Sequence, residues 1–151
     1  MSIENEQSST PSRIVVGVDG SPSSEQALHW AAHQARLTGQ ELHAVTAWNF
    51  PVNYGVAPFT DFDAEQNSRE ILQKAVENTL PEDDARRVVQ DVVQGAPAPV
   101  LLDAATGADL LVVGCRGHGG FAGMLLGSVS QHVVTHAPCP VLVLHDHGDR
   151  D

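Results

Sequence analysis

Short apolar segments alternate regularly with helix-length segments along this sequence, and this alternation limits the possible folds more than any other feature. Nearly continuous apolar runs rich in β-branched residues are typical of strands that are buried on both faces. Five such strands are predicted, over residues 13–18, 42–47, 87–93, 109–114 and 140–145. Helices are predicted between them, over residues 22–38, 68–80, 97–106 and 128–136. The pattern predicts an α/β fold in which a parallel sheet carries helices on both faces.

Glycine-rich turns follow the first and the fourth predicted strands, and they indicate where the strand order reverses. We place the reversal between these two strands, which predicts a doubly wound, five-stranded parallel sheet of order 3-2-1-4-5. In such sheets the ligand binds beyond the carboxyl ends of the strands at the reversal point. After the first strand, Ser21 suits the cap of a helix and Pro22 its first position, and Gly39 suits its end.

The length and composition predict a single globular domain. The chain has 151 residues, of which 42% are hydrophobic, and the domain is predicted over 13–145, between a disordered lead-in (1–12) and a charged tail (146–151). The formal net charge of -11 repels phosphate backbones and anionic lipids, so neither nucleic acid nor a membrane is expected as a partner. The start of the chain lacks the pattern of a signal peptide, and two cysteines are too few for a disulfide framework, which favours a cytoplasmic protein.

The segment 114–130, GCRGHGGFAGMLLGSVS, carries the strongest functional signal. Glycine lets a ligand approach the backbone closely, and consecutive amides form an anion-binding concavity. A helix that starts at Ser128 adds free N–H groups and a dipole that favour phosphate. No lysine precedes Ser128, as a Walker A loop requires, and on glycine content alone a surface loop fits equally well. The nucleotide-binding candidates of this loop include Gly114, Gly117, Gly119, Gly120 and Gly127.

The spacing G-x2-G-x9-G-S over residues 114–128 resembles the nucleotide-binding signature of the universal stress protein family. The segments 14–21, 108–114 and 137–144 resemble the opening, fourth and closing strands of the same family. The resemblance implies an adenine nucleotide alpha hydrolase-like fold and ATP as the ligand. It also implies Mg²⁺ held mainly by the ATP phosphates, because magnesium keeps several waters and needs few protein ligands.

The resemblance further implies roles for individual residues. Asp19 would lie beside the nucleoside and could be an outer contact of Mg²⁺, while Gly17 and Val18 would approach the nucleoside through their backbone. The main chain of Val45 would read the adenine edge. Arg116 could contact a phosphate, although a solvated arginine fits this position equally well. The positions implied at the ribose or around the triphosphate are Val113, Gly114, Gly117, Gly127, Ser128, Val129 and Ser130.

Other polar and aromatic clusters have simpler interpretations. The connection after the second strand holds five of the seven aromatic residues, Trp48, Phe50, Tyr54, Phe59 and Phe62. They could form a lid over the base, with Trp48 nearest to it, or cover a helix flank or a dimer surface. The acidic residues 82–84 are predicted to form a solvated turn. No metal site made by the protein alone is predicted, because no Cys or carboxylate cluster with metal spacing accompanies the late histidines.

The last strand is apolar, lacks lysine and internal proline, and lies at an edge of the predicted sheet. An unpaired apolar edge promotes association unless it is covered or paired. Two copies could pair antiparallel across a two-fold axis. We therefore predict a homodimer through Val141–Leu144, an association that the family resemblance also implies.

Three functions are compatible with these features. The first is an ATP-binding regulator or sensor in stress response with at most slow hydrolysis, and no catalytic residue is assigned. The second is an enzyme that hydrolyses ATP with useful turnover, and the third is a dimeric interaction protein without nucleotide. The absence of a clear catalytic lysine, arginine finger or general base favours the first over the second. The glycine spacing favours the first over the third.

Overall fold

The computed structural model describes residues 12–49, 63–116 and 126–145. The strands are β1 (Arg13–Gly17), β2 (Glu41–Trp48), β3 (Val89–Gln94), β4 (Leu110–Gly114) and β5 (Val141–Leu144). The helices are α1 (Pro22–Thr38), α2 (Ala64–Thr79), α3 (Glu82–Arg87), α4 (Pro97–Ala104) and α5 (Ser128–His136). The strands form one parallel sheet of order β3-β2-β1-β4-β5, which confirms the predicted architecture. The predicted lead-in up to residue 11 and the tail 146–151 lie outside the described residues.

The central strand of the sheet is β1, which pairs with β2 on one side and with β4 on the other. Val16 illustrates the arrangement, because it aligns with Ala44 of β2 and with Val112 of β4, and all three side chains are fully buried. From β1 the chain winds outward to β3, then crosses back to β4 and winds outward to β5. The strand order therefore reverses between β1 and β4, as predicted.

Helix α1 forms where the capping residues predicted it. The Ser21 side chain accepts a hydrogen bond from the Ser24 amide, and Pro22 occupies the first turn, where its missing N–H is not needed. At the other end Gly39 adopts a left-handed conformation, with φ at 78°, and donates its amide to the Ala35 carbonyl. The apolar residues predicted to share one helical face are all buried: Ala27, Leu28, Ala31, Ala32 and Ala35.

Two hydrophobic layers hold the helices on opposite faces of the sheet. Alternate side chains of β1 point to opposite faces, so Ile14 packs with α1 and α2, whereas Val15 packs on the side of α4 and α5. Leu72 of α2 and Leu111 of β4 are completely buried in the first and second layer respectively. Truncating either leucine to alanine should cost about 2–5 kcal/mol of stability.

Helix α2 begins earlier than predicted. The apolar positions alone predicted a start at Ser68, but the helix starts at Ala64, with Asp63 as its cap. The Asp63 carboxylate accepts the Gln66 amide at 3.1 Å, which supports a first turn that is polar and therefore lacks a hydrophobic pattern.

Helix α3 replaces the predicted solvated turn, and the third strand accordingly begins at Val89 instead of residue 87. Asp84 of this helix is buried and forms an ion pair with Arg36 of α1, so the segment packs against α1 instead of being fully solvated. Acidic residues in the first turn and arginines in the last also suit the helix dipole.

A polar cluster closes the amino edge of the sheet, the edge opposite to the predicted ligand site. The Asp109 carboxylate accepts hydrogen bonds from the Ser12 hydroxyl at 2.6 Å, the Arg13 amide at 2.9 Å and the Gln40 side chain at 3.1 Å. The pKa of Asp109 is lowered, chiefly because the Ser12 hydroxyl donates to the carboxylate. Burial raises the pKa of the Cys139 thiol, which precedes β5 at the same edge. We name this group of Ser12, Arg13, Gln40 and Asp109 the amino-edge cluster.

Candidate functional site at the carboxyl edge

The carboxyl ends of β1 and β4 lie side by side at the reversal point. The backbone alignment of Val16 with Val112 brings the segments after Gly17 and Gly114 to the same edge of the sheet. Helix α1 starts after the first of these segments, and helix α5 starts after the second. In a doubly wound sheet this is the position where ligands bind.

The turn after β1 holds Asp19 through its backbone and its side chain. The Asp19 amide donates to the Ser24 hydroxyl at 3.2 Å, and the Asp19 carboxylate accepts the Ser21 amide at 2.9 Å. The Ser24 hydroxyl in turn donates to the Ser21 carbonyl at 3.0 Å. Asp19 is exposed, whereas Ser21 and Ser24 are buried, so two buried serines fix the position of a carboxylate at the surface of the carboxyl edge.

The end of β2 is joined to the end of β1 by hydrogen bonds. The Val18 amide donates to the Val45 carbonyl at 2.9 Å, and the buried Thr46 hydroxyl donates to the Val18 carbonyl at 2.8 Å. Val45 is itself buried. The structure therefore shows Val45 inside the β1–β2 pairing, and Trp48, which is half-buried, as the last residue of that strand.

Two of the predicted site glycines lie in close packing contacts. A Cβ atom on Gly114 would lie 2.6 Å from the Ser23 Cβ and 2.7 Å from the Ser23 carbonyl carbon, so β4 contacts the start of α1 directly. A Cβ atom on Gly17 would lie 2.9 Å from a methyl group of Leu101 in α4. The contact at Gly114 involves backbone, which cannot move aside as a flexible side chain can. Val113, the residue before Gly114, is buried.

The start of α5 is tied back to the end of β4. The Gly127 amide donates to the Cys115 carbonyl at 2.7 Å, and the Ser130 hydroxyl donates to the Gly114 carbonyl at 2.6 Å. Gly127 is the N-cap residue of α5, and no side chain in the described residues caps this helix. Ser128 is exposed, Val129 is half-buried and Ser130 is buried. Within the described part of the chain, the first turn of α5 therefore begins at the reversal point without a side-chain cap.

Several predicted site residues fall outside this description. Gly117, Gly119 and Gly120 belong to the undescribed segment 117–125, and four of the five clustered aromatic residues belong to 50–62. Arg116, the last described residue before the segment 117–125, is half-exposed. In the described parts of the chain, no group of three or more His, Cys, Asp or Glu side chains is arranged to hold a metal ion. No helix there is long and apolar enough to span a bilayer.

A scan of protein-family models matches residues 11–145 to the universal stress protein family. The chain belongs to this family. A universal stress protein of Mycobacterium tuberculosis is 36% identical over 144 residues, an alignment that covers 88% of this chain and 47% of the relative. The chain thus spans about half the length of the curated relatives that it matches.

Solved structures of universal stress proteins share the fold. One, in complex with cAMP, is 32% identical with a TM-score of 0.63, and the match covers 89% of this chain and 97% of that one. Another, from Archaeoglobus fulgidus in complex with dAMP, is 25% identical with a TM-score of 0.65, and the match covers 88% and 97% of the two chains. Universal stress proteins similar to this chain therefore bind adenine nucleotides, and the fold is adenine nucleotide alpha hydrolase-like.

Sequence reasoning missed three buried polar residues of the carboxyl edge. Ser23 contacts Gly114, Ser24 accepts the Asp19 amide, and Thr46 donates to the Val18 carbonyl. The run of serines after Gly20 could have drawn attention to the first two, because a strand–turn–helix junction needs several backbone groups satisfied by side chains. No comparable signal marks Thr46, since threonine is common in any strand.

Proposed function

We propose that this universal stress protein binds ATP with Mg²⁺ at the carboxyl edge, between the ends of β1 and β4, and acts as a nucleotide-dependent regulator or sensor in stress response. The observation that carries the proposal is the convergence of the Asp19 turn and the start of α5 on the reversal point. The cAMP and dAMP complexes of similar proteins support an adenine nucleotide as the ligand class.

The chemistry of the start of α5 supports a phosphate group at this position. The first four amides of a helix have no acceptor within the helix. In α5 the first of them, the Gly127 amide, donates to the Cys115 carbonyl. The amides of Ser128, Val129 and Ser130 remain in the first turn, where the helix dipole also favours an anion. These three amides are the proposed phosphate donors.

The charge of the chain supports magnesium as part of the ligand. With a formal net charge of -11, the protein repels a free nucleoside triphosphate. Mg²⁺ bound to the phosphates lowers that repulsion and keeps most of its water ligands. Asp19 is the proposed outer contact of the ion, because its carboxylate is held at the same edge as the start of α5.

The residues at the carboxyl edge support slow hydrolysis at most. Phosphoryl-transfer sites stabilise the transferring group with lysine, arginine or metal and position the attacking nucleophile. The single lysine of the sequence, Lys74, lies on α2, away from the start of α5. Arg116 directly follows Cys115, whose carbonyl accepts the Gly127 amide, so one cation of the chain is adjacent in sequence to this junction. We expect turnover far below about 1 per second, the low end of the usual enzyme range.

We further propose that the protein is a cytoplasmic homodimer that pairs through β5. The four residues of β5 are half-buried, and the strand lies at the sheet edge without a charged side chain. The opposite edge strand, β3, carries the exposed Asp91. A charge on an edge strand opposes pairing, so the two edges favour β5 as the dimer contact. Sedimentation of the wild type and of Val141→Lys tests this, and a monomeric wild type at micromolar concentration contradicts it.

Titration calorimetry with ATP and Mg²⁺ is the test of the nucleotide proposal. Gly127→Leu places a bulky side chain at the buried N-cap of α5 and should abolish binding. Gly39→Ala, a glycine replacement at the far end of α1, is the matched control and should bind as the wild type does. Unchanged ATP affinity in Gly127→Leu, or no heat of binding in the wild type, contradicts the site. A steady-state phosphate-release assay that gives rapid turnover contradicts the regulatory role and favours the hydrolase.

A further inference from the structure

We infer that Ser130 is a positioning residue and that its hydroxyl does not contact the nucleotide, a role that rests on the proposed function. Its hydroxyl donates to the Gly114 carbonyl at 2.6 Å, and the side chain is buried. Ser128, two residues earlier in the same turn, is exposed. The two serines of the G-S-V-S motif therefore have different tasks, which their spacing in the sequence does not reveal.

The argument depends on the number of protons that a hydroxyl can donate. A serine hydroxyl has one donor hydrogen, and ionised phosphate oxygens only accept hydrogen bonds. Since the Ser130 proton is used by the Gly114 carbonyl, the hydroxyl has none for a phosphate. The Ser128 hydroxyl is solvent-accessible and can donate, so Ser128 is the side-chain phosphate donor of this turn.

A second hydrogen bond acts beside the first. The Gly127 amide donates to the Cys115 carbonyl at 2.7 Å, so two consecutive carbonyls at the end of β4 accept hydrogen bonds from the start of α5. The Cys115 amide is itself fixed to the Leu144 carbonyl of β5 at 2.8 Å. Ser130 therefore holds the first turn of α5 at a set distance from the sheet, and the phosphate-binding amides with it.

The experiment measures the junction without any ligand. Trypsin can cleave after Arg116, which lies directly beyond the two accepting carbonyls, and cleavage of a folded protein reports local opening. Ser130→Ala should raise the rate of this cut roughly three- to tenfold, the effect of one lost hydrogen bond. Ser128→Ala, the matched control in the same turn, should be cut at the wild-type rate.

Affinity measurements complete the test. Ser128→Ala should weaken ATP binding and leave adenosine binding unchanged, because only a phosphate contact is lost. A second pair of variants keeps the test valid even if Ser130→Ala does not fold. Ser130→Thr keeps the hydroxyl, whereas Ser130→Val has the same shape without it. Trypsin should therefore cut Ser130→Thr more slowly than Ser130→Val. Wild-type cleavage of Ser130→Ala together with weaker ATP binding would show that the hydroxyl is a phosphate ligand and overturn the inference. Faster cleavage of Ser130→Ala in a protein that binds no ATP supports the positioning role and contradicts the proposed function alone.

Discussion

The two ends of the sheet both carry dense polar contacts, but these contacts satisfy different groups. In the amino-edge cluster, the Asp109 carboxylate accepts from three donors of the protein itself. At the carboxyl edge, buried serines and Thr46 bind backbone groups of the turns, while α5 begins without a side-chain cap in the described residues. An edge whose donors and acceptors are paired internally contributes to stability. An edge that presents helix amides is available for an anion.

The comparison predicts that substitutions at the two edges separate stability from binding. Amino-edge variants should change the free energy of unfolding and leave ATP affinity unchanged. Carboxyl-edge variants that remove ligand contacts should do the reverse. Gly114 is the residue that breaks this simple division, because it lies at the carboxyl edge and yet is required by packing.

The largest expected effect is that of Gly114→Ala on stability. The added Cβ would lie within 2.8 Å of three atoms of Ser23, two of them backbone, so α1 and β4 must separate. We expect a loss of about 3 kcal/mol in the free energy of unfolding. Gly107→Ala at the amino edge is the control, because a Cβ there meets nothing closer than 4.0 Å. Its loss in the free energy of unfolding should come only from the left-handed φ of 82° and amount to about 1 kcal/mol. Equal losses in urea unfolding would show that the Ser23 contact is unimportant.

The next effect is that of Asp19→Ala on ATP affinity. Loss of a carboxylate that supports Mg²⁺ or the nucleoside should weaken binding about tenfold, whereas loss of the acceptor of the Ser21 amide should lower the free energy of unfolding by only about 1 kcal/mol. Calorimetry with ATP and Mg²⁺ and thermal unfolding of the free protein measure the two quantities. Asp103→Ala, an exposed carboxylate on α4, controls for the change in net charge. Wild-type affinity in Asp19→Ala removes this residue from the site.

The fold could be predicted from the sequence because its signals are local and repeated. Each central strand is a run of buried apolar residues, and α1 is bounded by Ser21, Pro22 and Gly39, whose chemistry specifies helix ends. One error, at the start of α2, occurred because the first turn is polar and carries no hydrophobic pattern, and another, at α3, involves a tertiary contact. Asp84 reads as a solvated acid, but in the structure it is the one buried residue of α3 and forms an ion pair with Arg36, which is distant in sequence.

The candidate site was predictable only in outline. Glycine spacing indicated the loop and the helix start, but not that Gly114 is required by Ser23 or that the two serines of α5 differ in exposure. These facts depend on how α1 and α5 approach β4, which no local pattern encodes. Residues whose role is to satisfy a backbone group, such as Thr46 and Ser24, have no sequence signature that separates them from ordinary polar positions.

A smaller effect is expected for Arg116→Ala. The guanidinium of this half-exposed residue can approach a phosphate across solvent, so its removal should weaken ATP binding about threefold at low ionic strength. The difference from the wild type should shrink as salt is added, because an exposed charge pair is screened. Arg69→Ala on α2 serves as the control for the loss of one positive charge. If both variants bind ATP equally well, Arg116 is a solvated residue and not part of the site.

The smallest effect, and the one that tests the amino edge, is that of Asp109→Asn. Hydrogen bonds to the carboxylate lower the pKa of Asp109 in the folded state, so the ionised form stabilises the protein above the unfolded-state pKa of about 3.9. That contribution is lost as the pH falls through the lower folded-state value. Because the group is exposed, we expect the melting temperature of Asp109→Asn to lie only about 2 °C below that of the wild type at pH 7. This gap in melting temperature should close as the solution is acidified below a pH of about 4. ATP affinity should not change. A gap that persists in acid would show that packing of the side chain, and not its charge, is responsible, and a loss of ATP affinity would contradict the separation of the two edges.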